Sequence, residues 1–231
     1  MAMPDEKPQQ PATDEAEAAN LICFARGTLI RTPVGQTPIE ELRVASLVLT
    51  RDNGPQPIRW ISSRRLDAAE LARDPRLRPI VIRRGALGVG MPDRDLRVSP
   101  QHRILIRSRA AQKMLGVAEV LVAAKQLLQV EGIDIDEDAA DIEYFHMLFG
   151  RHEVVWSNGA ETESLYTGRQ ALRGVGAEAQ EEIFTLFPEL RDQTEPPPGA
   201  RMLLSGRMAR KLAVRHVQHQ WQLVAPLAAG A

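Results

Sequence analysis

Cys23 is the only cysteine in 231 residues. It opens the stretch Cys23-Phe24-Ala25-Arg26-Gly27-Thr28-Leu29-Ile30-Arg31-Thr32-Pro33-Val34-Gly35. Some 75 residues on, Ser99-Pro100-Gln101-His102 supplies a hydroxyl and an imidazole between two apolar segments. A lone thiol, a histidine and a small hydroxyl are the parts needed to attack a carbonyl. A single cysteine taken alone is more often a small buried hydrophobe, so the surrounding pattern has to decide.

That pattern resembles the start of a Hedgehog/intein (Hint) domain, the self-processing module of inteins and of Hedgehog autoprocessing regions. The matching residues are Cys23, Gly27-Thr28, Thr32, Gly35, Pro38-Ile39-Glu40-Glu41-Leu42, and Val48-Leu49-Thr50 ahead of Asp52-Asn53-Gly54. Ser99-Pro100-Gln101-His102 is similar to the family's Thr-x-x-His block. His152-Glu153-Val154-Val155-Trp156-Ser157-Asn158-Gly159 is similar to its penultimate block. The three blocks lie in the family order over residues 23–168. Asn53-Gly54-Pro55-Gln56-Pro57-Ile58-Arg59-Trp60 and Phe149-Gly150-Arg151-His152-Glu153 resemble bacterial Hint-domain proteins most closely. One departure stands out: Ala45-Ser46 replaces the family's Gly-Asp. Losing the glycine is expected to strain the turn, and losing the aspartate to remove a local acceptor.

The resemblance implies a chemistry. The Cys23 thiol attacks the Ile22 carbonyl carbon, and the Ile22–Cys23 amide becomes a thioester through a five-membered ring. His102 protonates the departing nitrogen, a task suited to an imidazole. Ser99 stands for the usual Thr, and a backbone N–H or the Ser99 hydroxyl holds the oxyanion. Thr28, His146 and His152 are supporting candidates, with His146 near a position where inteins carry an Asp. No metal or cofactor is implied, and the substrate is the chain's own N-terminal segment. Splicing is not expected, because the family's terminal His-Asn pair falls near Glu163-Ser164, which has neither imidazole nor amide. The expected products are residues 1–22 and 23–231. The β-branched Ile22 crowds the carbonyl, and nothing in the sequence names the group that resolves the thioester. Two other functions therefore stay open: a Hint-fold scaffold acting as a binding or assembly module, and a cysteine hydrolase acting on separate substrates.

Positioning these groups falls to short strands. The sequence predicts a mainly β, horseshoe-like Hint core over residues 21–168, a disordered tail over 1–20 and a helical extension over 169–231. The tail carries five acids and one lysine among Pro, Gln and Ala, and cannot bury enough surface to offset chain entropy. Asp52-Asn53-Gly54 marks a hairpin. Residues 67–74 read as a short helix capped by Asp67, and 117–128 as the best internal helix, with Val120, Ala124, Leu127 and Leu128 on one face. Strands are expected at 80–82, 104–106, 144–149 and 154–156, and helices at 181–190 and 201–221. Leu204, Met208, Leu212, Val217 and Trp221 would form the last helix's apolar stripe. Gly85-Ala86-Leu87-Gly88-Val89-Gly90 lacks the Lys-Ser/Thr of a phosphate loop and reads as a plain loop. The acidic run at 134–138 lacks the glycine and position-12 carboxylate of a calcium loop. His216 and His219 read as a solvated face rather than a metal site.

Composition narrows the function classes. Hydrophobic content of 44% with 26% charge is that of a globular chain. A net charge of −1 gives no bulk attraction to nucleic acid. No apolar run approaches the ~20 residues that span a membrane, and the N-terminus has no secretory apolar core, so nothing indicates export by that route and the cytoplasm is only the default expectation. Fourteen arginines against six acids fill residues 51–109, and eleven acids against two basic residues fill 119–163. These segments are expected either to face each other or, as the default, to form two solvated surfaces.

Overall fold

The computed structural model describes residues 21–225, the side chain of Gln170 excepted, so the expected tail at 1–20 lies outside the described residues. In chain order the elements begin with β1 (Phe24–Ala25), β2 (Leu29–Thr32), β3 (Gly35–Pro38), β4 (Leu47–Thr50), β5 (Gly54–Pro57) and β6 (Trp60–Leu66). Helix α1 (Ala68–Arg73) is followed by β7 (Ile80–Ile82), β8 (Leu96–Val98), β9 (Arg103–Arg107), α2 (Arg109–Leu115), β10 (Glu119–Ala123) and β11 (Ile133–Ile135). Then come β12 (Ile142–Leu148), β13 (Val154–Ser157) and β14 (Ala160–Glu163), and after them α3 (Arg169–Gly174), α4 (Ala177–Leu186), β15 (Met202–Leu203) and α5 (Gly206–Gln218). The architecture is mainly β, with helices gathered towards the C-terminus.

Two sheets form among the described residues. One runs β11-β7-β8-β1-β12-β6, the other β15-β10-β9-β14-β13-β2-β3, with β4 joined to β13 and β5. Turn chemistry sets several registers. Asn158 (φ 47°) and Gly159 (φ 78°) both take the left-handed conformation in the two-residue β13–β14 turn, the geometry that asks for Asn-Gly. The Asn158 side chain then accepts from Leu29 N and donates to Asp95 O, tying that turn to β2 and to the lead-in of β8. Apolar runs such as Ile80-Val81-Ile82 are buried on both faces, as strands covered on two sides require.

Several elements match the sequence. The Asp67 cap is present as a reciprocal capping box with Glu70, and the Asn53-Gly54 hairpin joins β4 to β5. Residues 117–128 do not form a helix. Gly116 ends α2 in the left-handed conformation, and Val120 and Val122 suit the pleated surface of β10, which pairs with β9 over five residues. Only a 3-10 turn at Ala124–Gln126 remains helical. The last helix also differs: α5 buries Ala209, Leu212, Ala213 and His216, a stripe at i, i+3, i+4 and i+7, while Val217 and Trp221 stay exposed. His216 is therefore not on a solvated face. Its Nδ1–H donates to Trp221 O at 3.1 Å and its Nε2 accepts from the Ser108 hydroxyl at 3.0 Å, while His219 stacks on Trp221.

The basic and acidic segments face each other rather than separate solvent surfaces. Arg51 and Arg107 each pair with both Glu119 and Glu161, and Arg65–Asp141, Arg78–Glu137, Arg97–Asp136 and Arg103–Glu163 repeat the pattern. Arg201 extends the first network to Glu119 and Asp52, which anchors the C-terminal segment on the β core.

Ala45 has φ 70°, so the residue standing for the family's glycine carries the left-handed strain expected of it. The lost acceptor is a different matter, because Ser46 Oγ takes the Arg43 N–H at 3.0 Å. Ala45→Gly should therefore add about 1 kcal/mol to the unfolding free energy, read as a higher urea midpoint at unchanged slope. A lowered midpoint would show that the turn relaxes around alanine.

Candidate functional site

The site is assembled by the register of one very short strand. Phe24 of β1 lies opposite Phe145 of β12 and Val98 of β8. One residue back, antiparallel pairing sets Cys23 beside His146 on one flank and Ser99 on the other. The backbone seals that placement, with Ser99 N donating to Cys23 O at 3.0 Å.

His146 touches both the thiol and the carbonyl before it. Its Nε2 is 3.3 Å and its Nδ1 3.5 Å from Cys23 Sγ, and Nδ1 is 2.9 Å from Ile22 O. A carbonyl only accepts, so Nδ1 carries the proton and Nε2 is the unprotonated nitrogen, 3.3 Å from the thiol sulfur. Burial lowers His146 to about 4, against the opposing hydrogen bond that it donates to Ile22 O and with the help of Arg64. Burial also pushes the Cys23 thiol up, more than the Ser99 hydrogen bond and Arg64 pull it down. The resting pair is thus a neutral thiol beside a neutral imidazole.

Ser99 addresses the nitrogen of the same peptide bond. Cys23 N–H donates to Ser99 Oγ at 2.8 Å, and the hydroxyl donates to Leu21 O at 2.7 Å. The hydroxyl is therefore engaged away from Ile22 O, and the donor on that oxygen is His146, which the sequence placed only among supporting candidates. His102 is fully buried with neither ring nitrogen hydrogen-bonded, its ring edge-on to Phe24 at 4.4 Å. Burial lowers it to about 4, against the pull of Glu163. Thr28 closes the turn after β1 by donating to Ala25 O at 2.6 Å, so it shapes the strand without touching the thiol.

His152 stands apart from Cys23. Its Nδ1 accepts from Ala200 N at 3.1 Å, which fixes the proton on Nε2, 3.1 Å from Glu163 Oε2. That last contact is a close approach of a neutral imidazole to the carboxylate, off the line of a good hydrogen bond. Burial pushes Glu163 up, but His152 and Arg103 outweigh it and hold the carboxyl below its usual range. Ser164 Oγ accepts from Glu153 N, and Leu165 N donates to Met147 O as the chain runs on towards α3.

A sequence model described as the Hint domain matches residues 22–169. The chain belongs to the Hint domain family. Solved structures that it is similar to include the gp41-1 intein, at 13% identity over 61% of this chain and 96% of that one, with a TM-score of 0.38. The MchDnaB-1 intein gives 12%, 61%, 98% and 0.40. An intein-like domain from Clostridium thermocellum gives 12%, 61%, 96% and 0.39. A comparison with curated proteins gives no match. Among the described residues of this Hint domain, no three His, Cys, Asp or Glu are grouped to hold a metal ion, and no helix is long and apolar enough to cross a membrane.

The depressed histidines give the Hint core a pH signature. Free imidazole titrates near 6.5, whereas His102 and His146 in the fold titrate at about 4. Between those values the unfolded chain binds protons that the native one refuses. Stability is full above about pH 6.5 and is lost as pH falls towards about 4, by about 1.4 kcal/mol per pH unit for each histidine. Urea titrations between pH 7 and 5 should show this slope, and His146→Gln should lower it by one histidine's share. A slope unchanged by both His102→Gln and His146→Gln would show that neither ring is held neutral.

Proposed function

We propose that this Hint domain carries out an N–S acyl shift at Ile22–Cys23, leading to cleavage of the segment upstream. One observation carries the reading: all three reacting atoms of that junction already have partners. His146 Nε2 faces the sulfur, His146 Nδ1–H is bonded to the carbonyl oxygen, and Ser99 Oγ is bonded to the nitrogen.

The step balances as follows. The thiol proton passes to His146 Nε2 as sulfur bonds to the Ile22 carbonyl carbon. The developing oxyanion keeps the Nδ1–H bond, within the 2.7–3.1 Å range of an oxyanion donor. As the C–N bond breaks, the nitrogen loses its planarity and takes one proton from the Ser99 hydroxyl. The proton that His146 took from the thiol is the one that restores Ser99, with His102, the histidine that the family resemblance assigns to this nitrogen, as a relay that takes one proton as it gives another, so all three side chains end as they began. The products are an Ile22–Cys23 thioester and a free Cys23 amine, with no net proton change. An added nucleophile such as hydroxylamine then takes the acyl group and frees the thiol.

The carboxyl-terminal half of splicing has no equipment in this reading. Where an intein needs His-Asn, Glu163 is locked between Arg103 and His152, and Ser164 caps the Glu153 N–H. The second reading is a Hint scaffold that no longer reacts. It is favoured by the full burial of Cys23 and by a thiol held in its neutral form.

Intact mass with and without hydroxylamine separates the two. Cleavage should leave a chain beginning at Cys23, with no new C-terminus between 160 and 170. Cys23→Ala should abolish it and His146→Ala should slow it by about 10²–10³-fold. An unreactive wild-type chain supports the scaffold, and cleavage persisting in Cys23→Ala shows that a protease does the cutting.

A further inference from the structure

We propose that α3 and α4, together with Trp60, form a side-chain pocket for residue 22 that selects a branched aliphatic group there and steadies His146 while it is filled. The proposal rests on the cleavage reading for its catalytic meaning, and its pocket is visible without it.

Residues 21–23 run extended, and their side chains part in opposite directions. Leu21 and Cys23 join a cluster with Leu66, Leu71 and Tyr144. Ile22 turns the other way, into a cluster with Trp60, Leu148, Leu165, Ala171, Leu172 and Ile183. Three of those residues, Ala171, Leu172 and Ile183, lie beyond the family match that ends at 169. The residue before the nucleophile is thus 5% exposed because helices outside the Hint match close over it.

The closure is fastened to the catalytic imidazole. Trp60 lies opposite Leu148 in the β6–β12 register, and its indole stands 6.2 Å from the His146 ring between centroids. The indole N–H donates to Glu182 Oε2 of α4 at 2.8 Å. The Arg59 guanidinium lies 6.0 Å over the Phe187 ring, holding the far end of α4. A chain of contacts therefore runs from α4 through Trp60 to His146 and back to Ile22 O. An apolar, closed site of this kind discriminates by volume, at roughly tenfold or more per methylene, and rejects a polar side chain that it leaves without a partner.

Trp60 and Glu182 are positioning residues, because neither touches the sulfur or the scissile carbonyl. The test uses the full chain and two readouts: the hydroxylamine cleavage rate after residue 22, and the rate at which iodoacetamide alkylates Cys23, the sole thiol. Ile22→Val should cleave about tenfold more slowly than wild type, with Ile22→Ser and Ile22→Phe far slower still. Leu172→Ala should favour Ile22→Phe over the wild-type residue, a reversal that a general loss of stability does not produce. Glu182→Ala should slow cleavage and speed alkylation about tenfold. Glu182→Gln, which keeps an oxygen for the indole N–H, should restore both, and Leu186→Ala on the exposed side of α4 should change neither.

Equal cleavage across the position-22 series, or no reversal with Leu172→Ala, overturns the pocket. If wild type does not cleave at all, the cleavage reading falls and alkylation alone judges the pocket. Protection of Cys23 must then follow the same order of residue-22 variants and the same Glu182 pattern, and a flat response overturns it. Ile22→Val and Glu182→Gln are mild enough to decide the matter should Ile22→Phe fail to fold.

Discussion

Everything at the site depends on the register of a two-residue strand. β1 is bonded to β8 on one side and β12 on the other. A slip by one residue would turn each of its side chains to the opposite face. Cys23 would then trade places with a bulky apolar neighbour, and neither His146 nor Ser99 would meet the thiol or its amide. So short a strand cannot fix its register by ladder bonds alone. Phe24 supplies the key, 1% exposed in a cluster with Ile30, Ile39 and Met147. Arg26 N–H bonded to Glu143 O and Ser99 N–H bonded to Cys23 O close the two ends. Packing of one aromatic ring thus sets the chemistry of its neighbour.

The interior that fixes the register also sets the protonation states. Burying a charged thiolate or imidazolium is costly, and the site rests with neither. In the proposed acyl shift the cost would reappear, because proton transfer from Cys23 to His146 separates charge inside a buried region. Arg64 acts unequally on that pair: its positive charge favours a thiolate and disfavours an imidazolium. What remains to stabilise the step is the fixed geometry of the Nδ1–H bond and the hydroxyl at the nitrogen. A machine needed once per molecule can work with such a barrier where a turnover enzyme could not.

Much of this was legible in the sequence, and the parts that were not have physical causes. Cys23, Ser99 and His102 are local signals, readable because a thiol and a short polar block interrupt apolar strands. His146 was legible only as one of several histidines. Its role comes from a pairing 123 residues apart, and no local pattern reports which strand lies beside β1. The missed strand at Glu119–Ala123 has a similar cause. Alanine and leucine around it mimic a helix face, while pairing with β9 decides the outcome. The left-handed turn at Ala45 was legible because only backbone geometry was at stake. The substitute acceptor is not legible in the same way, because a Ser46 hydroxyl there takes the place of a carboxylate.

The C-terminal region is wired into the Hint core at several points, one of them beside the Ile22–Cys23 bond. Arg201 joins the Arg51–Arg107–Glu119–Glu161 network, Ala200 N–H fixes the His152 tautomer, and α4 holds Trp60 beside His146. An acyl shift from amide to thioester exchanges a stable bond for a less stable one, so its reverse is fast whenever the amine stays close. Here residues 21 and 22 are both buried, and the two ends of a broken amide would remain within the same packed strand. The equilibrium then stays with the intact amide unless a nucleophile reaches the carbonyl or the upstream segment leaves. Ile22 is packed against Ala171, Leu172 and Ile183, and Leu21 against Leu66, Leu71 and Tyr144. The same packing that would orient the bond for attack therefore opposes completion of the cut.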